Sequence, residues 1–387
     1  MAMNIAYVGN FHNFGNSAAN TTTAMVYLTS ELNEVESIDV FCAYANSKIE
    51  ETLVPDKVKI KPIFDSSKSL STLNLYKVKW KNYDRVVFNI LPTSFGRSSL
   101  LNILGLLAPY ILTKLGNRNI RVVYHNSTFT NDVEKLGYNS RIDKFKKFIL
   151  SRVEMRMFMS VPTYMPLRIY VNKILSKNKK ALVKLIDMRY FEGVPTIYMN
   201  AISKKKFIER NENSKKTVLL HGYWGPQKNL EFALKNLSEL RKEGLEFHLI
   251  LSGGLNNNFL TYADYFNKLV KKYSDTIDER VGYVTEKDIL QLFLRSDLVV
   301  IPYNTPGGHS GVLETCITFY NTVLCIRHPE YEEQSSGFDH IILTAPEHFR
   351  KDLNMCLKVK NQSNSNVYIN ISEKLNQAVG SIKQLLK

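Results

Sequence analysis

The sequence predicts an α/β protein made of two doubly wound domains in tandem, and three observations carry that prediction. Apolar runs of strand length, rich in valine and isoleucine, alternate with helical stretches along most of the chain. Continuous apolar strands indicate a parallel sheet covered on both faces, and the covering helices double as the crossovers that parallel strands require. The alternation lapses after residue 140 and restarts at Thr217, and 387 residues is long for one core but comfortable for two.

Taken in order, "NIAYVGN" (from Asn4) reads as an apolar strand ending in glycine, "SAANTTTAMVYLTSEL" as a helix and "SIDVFCAY" as a strand. "DRVVFNI" (from Asp84) and "IRVVYHNS" (from Ile120) read as further buried strands, with a covered apolar helix from Leu100 between them. From Arg141 to Lys184 the chain reads as helical and very basic, and "PTIYMN" reads as one last strand. "SKKKFIERNENSKK" is polar and charged, the composition of a linker.

In the second half "TVLLHGYW", "LEFHLILSGG", "DLVVIPY" and "TVLCI" read as strands. "NLEFALKNLSELRKEG", "YADYFNKLVKKY" and "TEKDILQLFLRS" read as helices, the last opening on a capping box of Thr285 with Asp288. A final helix, "SEKLNQAVGSIKQLLK", follows a polar stretch. The domains are therefore placed at 1–199 and 217–365, with a linker at 200–216 and a C-terminal helix at 366–387 packing back on the first domain.

The net charge of +15 and pI near 9.4 predict attraction to an anionic partner: nucleic acid, a negative membrane surface or a phosphorylated substrate. Cys42, Cys316, Cys325 and Cys356 include no C-x-x-C pair and no zinc-ligand spacing, so they read as small buried hydrophobes in a reducing compartment. The N-terminus lacks the basic and apolar regions of a signal peptide, and the apolar stretch from Leu100 is short for a span and holds Asn102, Gly105 and Pro109. The expected location is cytoplasmic.

In doubly wound sheets ligands bind beyond the C-terminal ends of the strands, so chemistry is sought at the strand-to-helix turns. "GNFHNFGNSAAN" (from Gly9) fails the dinucleotide fingerprint but offers backbone N–H groups at a helix start. "VVYHNST" puts His125 at the end of a buried strand, where it either meets a substrate hydroxyl or serves the structure. "HGYWGPQKN" is not a P-loop, yet Lys228 falls at a helix start, where ammonium and helix amides can act on one anion. A solvated lysine is the competing reading.

"PYNTPGGHSGVLETC" (Pro302–Cys316) packs three glycines, a histidine and a serine into five positions. It is no G-x-S-x-G elbow, because Val312 replaces the last glycine, and His309 has no metal-ligand spacing. It reads as a cradle of amides from Gly307 to Gly311, with Glu314 one turn into a helix and able to accept two hydrogen bonds from a diol. Amides for phosphate or hexose and a carboxylate for ribose together suit a sugar nucleotide.

At this point the chain resembles the GT-B glycosyltransferases, in particular the retaining group called glycosyltransferase family four. "HGYWGPQKNLEFALKNLSEL" matches the family's strand and basic turn, "VGYVTEKDILQLFLRSDLVVIP" its next elements, and "PGGHSGVLE" its paired-glutamate element. The first half fits more loosely, through its first glycine turn, "VVYHNS" and "TIYMNAIS". The resemblance implies two Rossmann-like domains facing a central cleft. It implies that Lys228 neutralises the donor diphosphate and that Glu314 binds the ribose. Gly307, Gly308, His309, Ser310, Gly311 and Val312 then form the donor loop, and Gly222 and Tyr223 line the turn after the second domain's first strand. His125 and His309 stand near the reacting sugar, and Gly15 and Asn16 face donor and acceptor.

Three departures stand out: the family's first glutamate is Pro306, the arginine usually paired with the lysine is Tyr223, and "TCITFYNT" replaces the small-residue pattern after Glu314. The implied reaction moves a hexose from a UDP- or GDP-linked donor to an acceptor hydroxyl of a glycan or lipid-linked carrier, with retention at the anomeric carbon. No cofactor is expected, and no Asp-x-Asp motif suggests a metal. The basic residues Lys144, Lys146, Lys147, Arg152 and Arg156 suggest peripheral contact with an anionic membrane on its inner face. The alternatives are an inactive sugar-nucleotide-binding protein and a basic nucleic-acid-binding protein, though the aromatic and basic interleaving of the latter is missing.

Overall fold

The computed structural model describes residues 2–11, 17–44, 54–65, 70–91, 95, 99–130, 141–200, 215–256, 261–284, 286–305, 308–359 and 365–387. By its contacts the chain divides into two compact units. The first comprises Met1–Pro195, Gly307–His309 and Glu373–Lys387, and the second comprises Thr196–Pro306 and Ser310–Ser372.

The first unit carries β1 (Met3–Val8), α1 (Ser17–Ser30), β2 (Val35–Ala43), β3 (Val58–Phe64), β4 (Arg85–Ile90), α2 (Ser99–Lys114) and β5 (Ile120–Tyr124). It continues with α3 (Arg141–Phe158), β6 (Thr163–Met165), α4 (Arg168–Lys177) and β7 (Val183–Leu185), and α5 (Val194–Asn200) begins at its edge. The seven strands lie in the order β3-β2-β1-β4-β5-β6-β7, all parallel. This is the doubly wound order, with the winding reversing between β1 and β4. Ala6, Val8, Val86, Phe88, Val122 and Tyr124 are buried in the core, beside Trp80, whose ring meets Phe41 edge-on.

The second unit holds β8 (Lys216–His221), α6 (Leu230–Lys242), β9 (Phe247–Ser252), α7 (Tyr262–Lys272), β10 (Glu279–Val281), α8 (Glu286–Leu294) and β11 (Leu298–Ile301). After these come α9 (Gly311–Phe319), β12 (Thr322–Ile326), α10 (Pro329–Gln334), β13 (Ile341–Thr344) and α11 (Phe349–Lys358). Its six strands lie in the order β10-β9-β8-β11-β12-β13, again all parallel, with the reversal between β8 and β11. The amphipathic α6 buries Leu230, Ala233, Leu234, Leu237 and Leu240 at helical spacing. Both units are thus Rossmann-like, as expected.

The last helix, α12 (Ser365–Leu386), ends in the first unit, where the Arg85 guanidinium donates to the backbone carbonyls of Leu386 and Lys387.

Two readings of the sequence are corrected. "PTIYMN" lies in α5 and not in a strand. Val194 and Ile197 of this helix are both buried, and so short a run has no period to separate helix from strand. The basic stretch from Arg141 to Lys184 is also not helical throughout, since β6 and β7 interrupt it. Thr285 of the expected capping box lies outside the described residues. All four cysteines are buried, and no helix among the described residues is long and apolar enough to cross a membrane.

Candidate functional site

In both units the polar residues of interest gather beyond the strand ends next to the point where the winding reverses. In the first unit β1 runs into Gly9, whose missing side chain lets α1 and β4 approach: a Cβ there would lie 2.9 Å from the Asn89 carbonyl and 3.1 Å from Thr22 Oγ1. The next residue, Asn10, has a buried side-chain oxygen with no hydrogen-bond partner among the described residues.

Asn89, fully buried near the end of β4, donates through its amide nitrogen to Thr22 Oγ1 (2.9 Å). Its oxygen lies 2.8 Å from His125 Nε2, so the ring donates there, and Nδ1 is left as the basic nitrogen. Burial pushes the His125 pKa down to about 4, so the ring is neutral at pH 7. The turn that carries His125 is held from below by Glu154 of α3, which has no exposed surface. This carboxylate accepts from Tyr124 Oη (2.7 Å), Ser127 Oγ (2.9 Å), Thr128 N (3.0 Å) and Thr128 Oγ1 (2.5 Å). Burial raises its pKa against the opposing pull of those hydrogen bonds.

Gly308 and His309 belong to this same unit. Gly308 has φ +117°, a left-handed value that favours glycine, and a Cβ on it would sit 3.2 Å from the Asn126 side chain. Burial drives the His309 pKa down to about 3, the neighbouring His125 adds to the fall, and Asp187 opposes it. Asp187 in turn accepts from the Arg189 guanidinium, Nε to Oδ1 (2.9 Å) and Nη2 to Oδ2 (2.6 Å), and from the Arg189 backbone N–H at Oδ1 (3.1 Å). Burial alone would raise the Asp187 pKa, but the bonds and charge of Arg189, with His309 adding, bring it below the ordinary value.

In the second unit β8 runs into His221 and Gly222. The close approach of β9's exit requires Gly253, which has φ +104° and no room for a Cβ against the Gly222 carbonyl. His221 Nδ1 pairs with Ser252 Oγ (3.1 Å), and burial, helped by the charge of Lys228, lowers its pKa to about 4. Lys228 ends a 3-10 turn, Pro226–Lys228, immediately before α6. Its Nζ stands 3.5 Å from the ring centroid of Tyr303, and burial lowers its pKa to about 7. Tyr303, just past β11, is itself buried, with its hydroxyl donating to the His221 carbonyl (3.3 Å) and its own carbonyl paired with His328 Nε2 (2.9 Å). Tyr223 is exposed.

Ser310 caps α9, its Oγ accepting from Leu313 N (3.3 Å). Gln334 clamps the cap: its Oε1 accepts from Ser310 N (3.1 Å) and its Nε2 donates to Ser310 O (2.9 Å). This fixes the helix N-terminus, with Gly311 and Val312 half-buried in the first turn and Glu314 only 1% exposed.

The sequence-chosen residues therefore fall into two sets. His125, Gly308 and His309 lie together in the first unit, and Gly222, Lys228, Ser310, Gly311 and Glu314 lie beyond the strand ends of the second. Gly15, Asn16, Pro306 and Gly307 lie outside the described residues. Asn89, Glu154, His221, Tyr303 and Gln334 were not singled out from sequence. Of these only Glu154 leaves a signal there, an acid at a core-facing position of a basic helix. Among the described residues no three His, Cys, Asp or Glu side chains are grouped to hold a metal ion.

This architecture is found in known structures. HepE of Anabaena in complex with UDP-glucose matches with a TM-score of 0.65 and 12% identity over 99% of this chain and 98% of its own. A glycosyltransferase from Rickettsia africae matches with 0.62 and 14% over 100% and 99%. A UDP-GlcNAc 2-epimerase from Methanocaldococcus jannaschii matches with 0.54 and 14% over 93% and 94%. No protein-family model and no curated protein matches the sequence. The chain has the GT-B fold. Because that fold also carries an epimerase, the reaction must be argued from the residues.

Proposed function

We propose that the protein is a glycosyltransferase that moves a hexose from a nucleotide-diphosphate sugar to an acceptor hydroxyl. The observation that carries this reading is that one unit, the second, holds both a cation and a carboxylate beyond its strand ends. Lys228 presents an ammonium at the end of β8, and Glu314 lies one turn inside a capped helix N-terminus. Breaking the anomeric bond puts positive charge on the sugar ring and negative charge on the leaving diphosphate. Lys228 and the first amides of α9 meet that negative charge where it grows; one preorganised donor of this kind contributes about 3 kcal/mol. Glu314 holds the ribose diol.

Neutral His125 and His309 act on the sugar or acceptor as hydrogen-bonding groups, since neither ring is the charged imidazolium of a general acid at pH 7. In this reading the reaction retains anomeric configuration, needs no metal, and takes a UDP- or GDP-linked donor, as HepE binds UDP-glucose. Gly307, Gly308, Ser310, Gly311 and Val312 form the donor loop, Gly222 and Tyr223 border the diphosphate, and Gly15 and Asn16 serve the reacting groups. The domains divide at 1–199 and 217–365. The acceptor is a hydroxyl of an envelope, lipid-linked or glycoconjugate glycan, and the enzyme works in the cytoplasm at the inner face of a membrane.

A thermal-shift screen of nucleoside diphosphates and their sugars identifies the donor, because a ligand at 100 times its Kd stabilises the fold by about 2.7 kcal/mol. Turnover of that donor is then compared in wild type, Lys228→Ala and Glu314→Ala. Lys228→Ala is expected to lower kcat by about two orders of magnitude, and Glu314→Ala to raise KM. Full activity in both variants would sink the assignment. Donor binding without turnover would instead favour an inactive binding protein, the reading that Pro306 at the first glutamate's position keeps open.

A further inference from the structure

The first two turns of α3 stand clear of the core. Val153, Glu154, Met157 and Phe158 bury the C-terminal half of this helix, whereas Ile142, Phe145 and Phe148 in its N-terminal half are 66%, 63% and 53% exposed. Three large apolar side chains left in water on one helix are not explained by packing within the unit. Ile142, Phe145 and Ile149 follow the i, i+3, i+7 spacing of a single helical face, with Phe148 beside them. Arg152 and Arg156, both exposed, continue that face, and the Arg152 guanidinium lies 4.6 Å from the Phe148 ring. Exposed Lys144 and Lys146 flank it, Arg141 lies at its start, and none of the exposed side chains described on this helix is acidic.

We propose that this face docks on an anionic lipid surface. Ile142, Phe145 and Phe148 enter the boundary between headgroups and acyl chains, and the arginines and lysines pair with lipid phosphates. The proposal deepens the glycosyl-transfer reading, resting on it only for the lipid-borne acceptor that would give such docking a purpose. The chemistry selects among partners. A second copy of the same face would set arginine against arginine across a two-fold axis. Single-stranded nucleic acid would stack on the rings of Phe145 and Phe148 but would leave the aliphatic Ile142, the most exposed of the three, without a partner. A bilayer interface takes both kinds of side chain at once: apolar groups sink, and long cationic side chains reach back to phosphate.

The test uses the full chain with vesicles of phosphatidylcholine alone and of phosphatidylcholine mixed with phosphatidylglycerol, read by flotation. Wild type should float with the anionic vesicles only, and less as salt rises. The double variant Phe145→Ser, Phe148→Ser keeps every charge and should lose about tenfold in partition. Lys144→Ala and Lys146→Ala should each lose about fivefold. Phe145→Trp should show a blue shift of its emission on anionic vesicles.

All four positions are exposed, so nucleotide-induced thermal stabilisation should be unchanged in every variant, which separates failure of docking from failure of the donor site. The proposal is overturned if wild type floats equally with neutral vesicles or if the double serine variant is recruited like wild type. It is equally overturned if the serines convert a dimer to a monomer while recruitment stays intact, or if wild type binds DNA but no vesicle.

Discussion

The ammonium of Lys228 rests over the ring of Tyr303, and that resting place sets how its charge answers to pH. Burial holds its pKa near 7 without ligand, and a diphosphate beside it favours the charged form and raises that value. Its contribution to donor binding is therefore fully present below pH 7 and is lost as pH rises through the ligand-bound pKa. Calorimetry in buffers of different ionisation enthalpy should show proton uptake on binding nucleoside diphosphate at pH 8. Lys228→Arg, charged throughout, should flatten the pH dependence. A wild-type affinity constant from pH 6 to 9 would contradict this account. The lysine was legible in the sequence because it sits in a turn of recognisable spacing. The ring beneath it was not, because Tyr303 lies 75 positions on in the chain and meets it only through the pairing of β8 with β11.

At the scale of elements, α3 does two separate jobs along its length. Its buried half supplies Glu154, one carboxylate that ties together Tyr124, Ser127 and Thr128 and so shapes the turn bearing His125. Glu154→Ala orphans all these donors and should cost about 3 kcal/mol in urea unfolding. Tyr124→Phe, which removes one donor, should cost about 1 kcal/mol. Equal losses in the two variants would show that the carboxylate organises nothing beyond the tyrosine.

Elements differ in how plainly they could be read. The long strands β1, β4, β5 and β8 announce themselves as continuous apolar runs. β6 and β7 are three residues each, too short for any pattern to rise above the basic helices around them. Gln334 illustrates the same limit for the site: an unremarkable residue at the end of α10 becomes the clamp on α9 only once the sheet has brought the two helices together.

For the molecule as a whole, the shifted groups combine into one pH profile. His125, His221 and His309 titrate far below the usual histidine value because they are buried neutral. Unfolding lets His125 and His221 take up a proton between pH 6.5 and about 4, and His309 between 6.5 and about 3, so stability falls as pH drops through that window. Glu154, raised by burial, works in the opposite sense, one group against three. Lys228 and Lys374, lowered to about 7 and about 8, add stability as pH rises above those values, because the unfolded chain holds their protons longer. Urea midpoints should therefore climb from pH 4.5 to 6.5 and continue upward to about pH 8, above which the four cysteines, their pKa raised by burial, oppose the lysines. A flat or falling profile between pH 4.5 and 6.5 would be inconsistent with neutral buried histidines.

Two cores, two parallel sheets and the tandem order were legible from the alternation of strands and helices, whereas the place of Gly307–His309 in the first unit was not. Arg85 at the start of β4 holds the backbone of Leu386 and Lys387, so the first unit takes its last piece from the far end of the chain. On the ribosome this reverses the expected order of completion. The second unit has all its strands in hand while the first still waits for a helix, and the domain begun first is the one finished last.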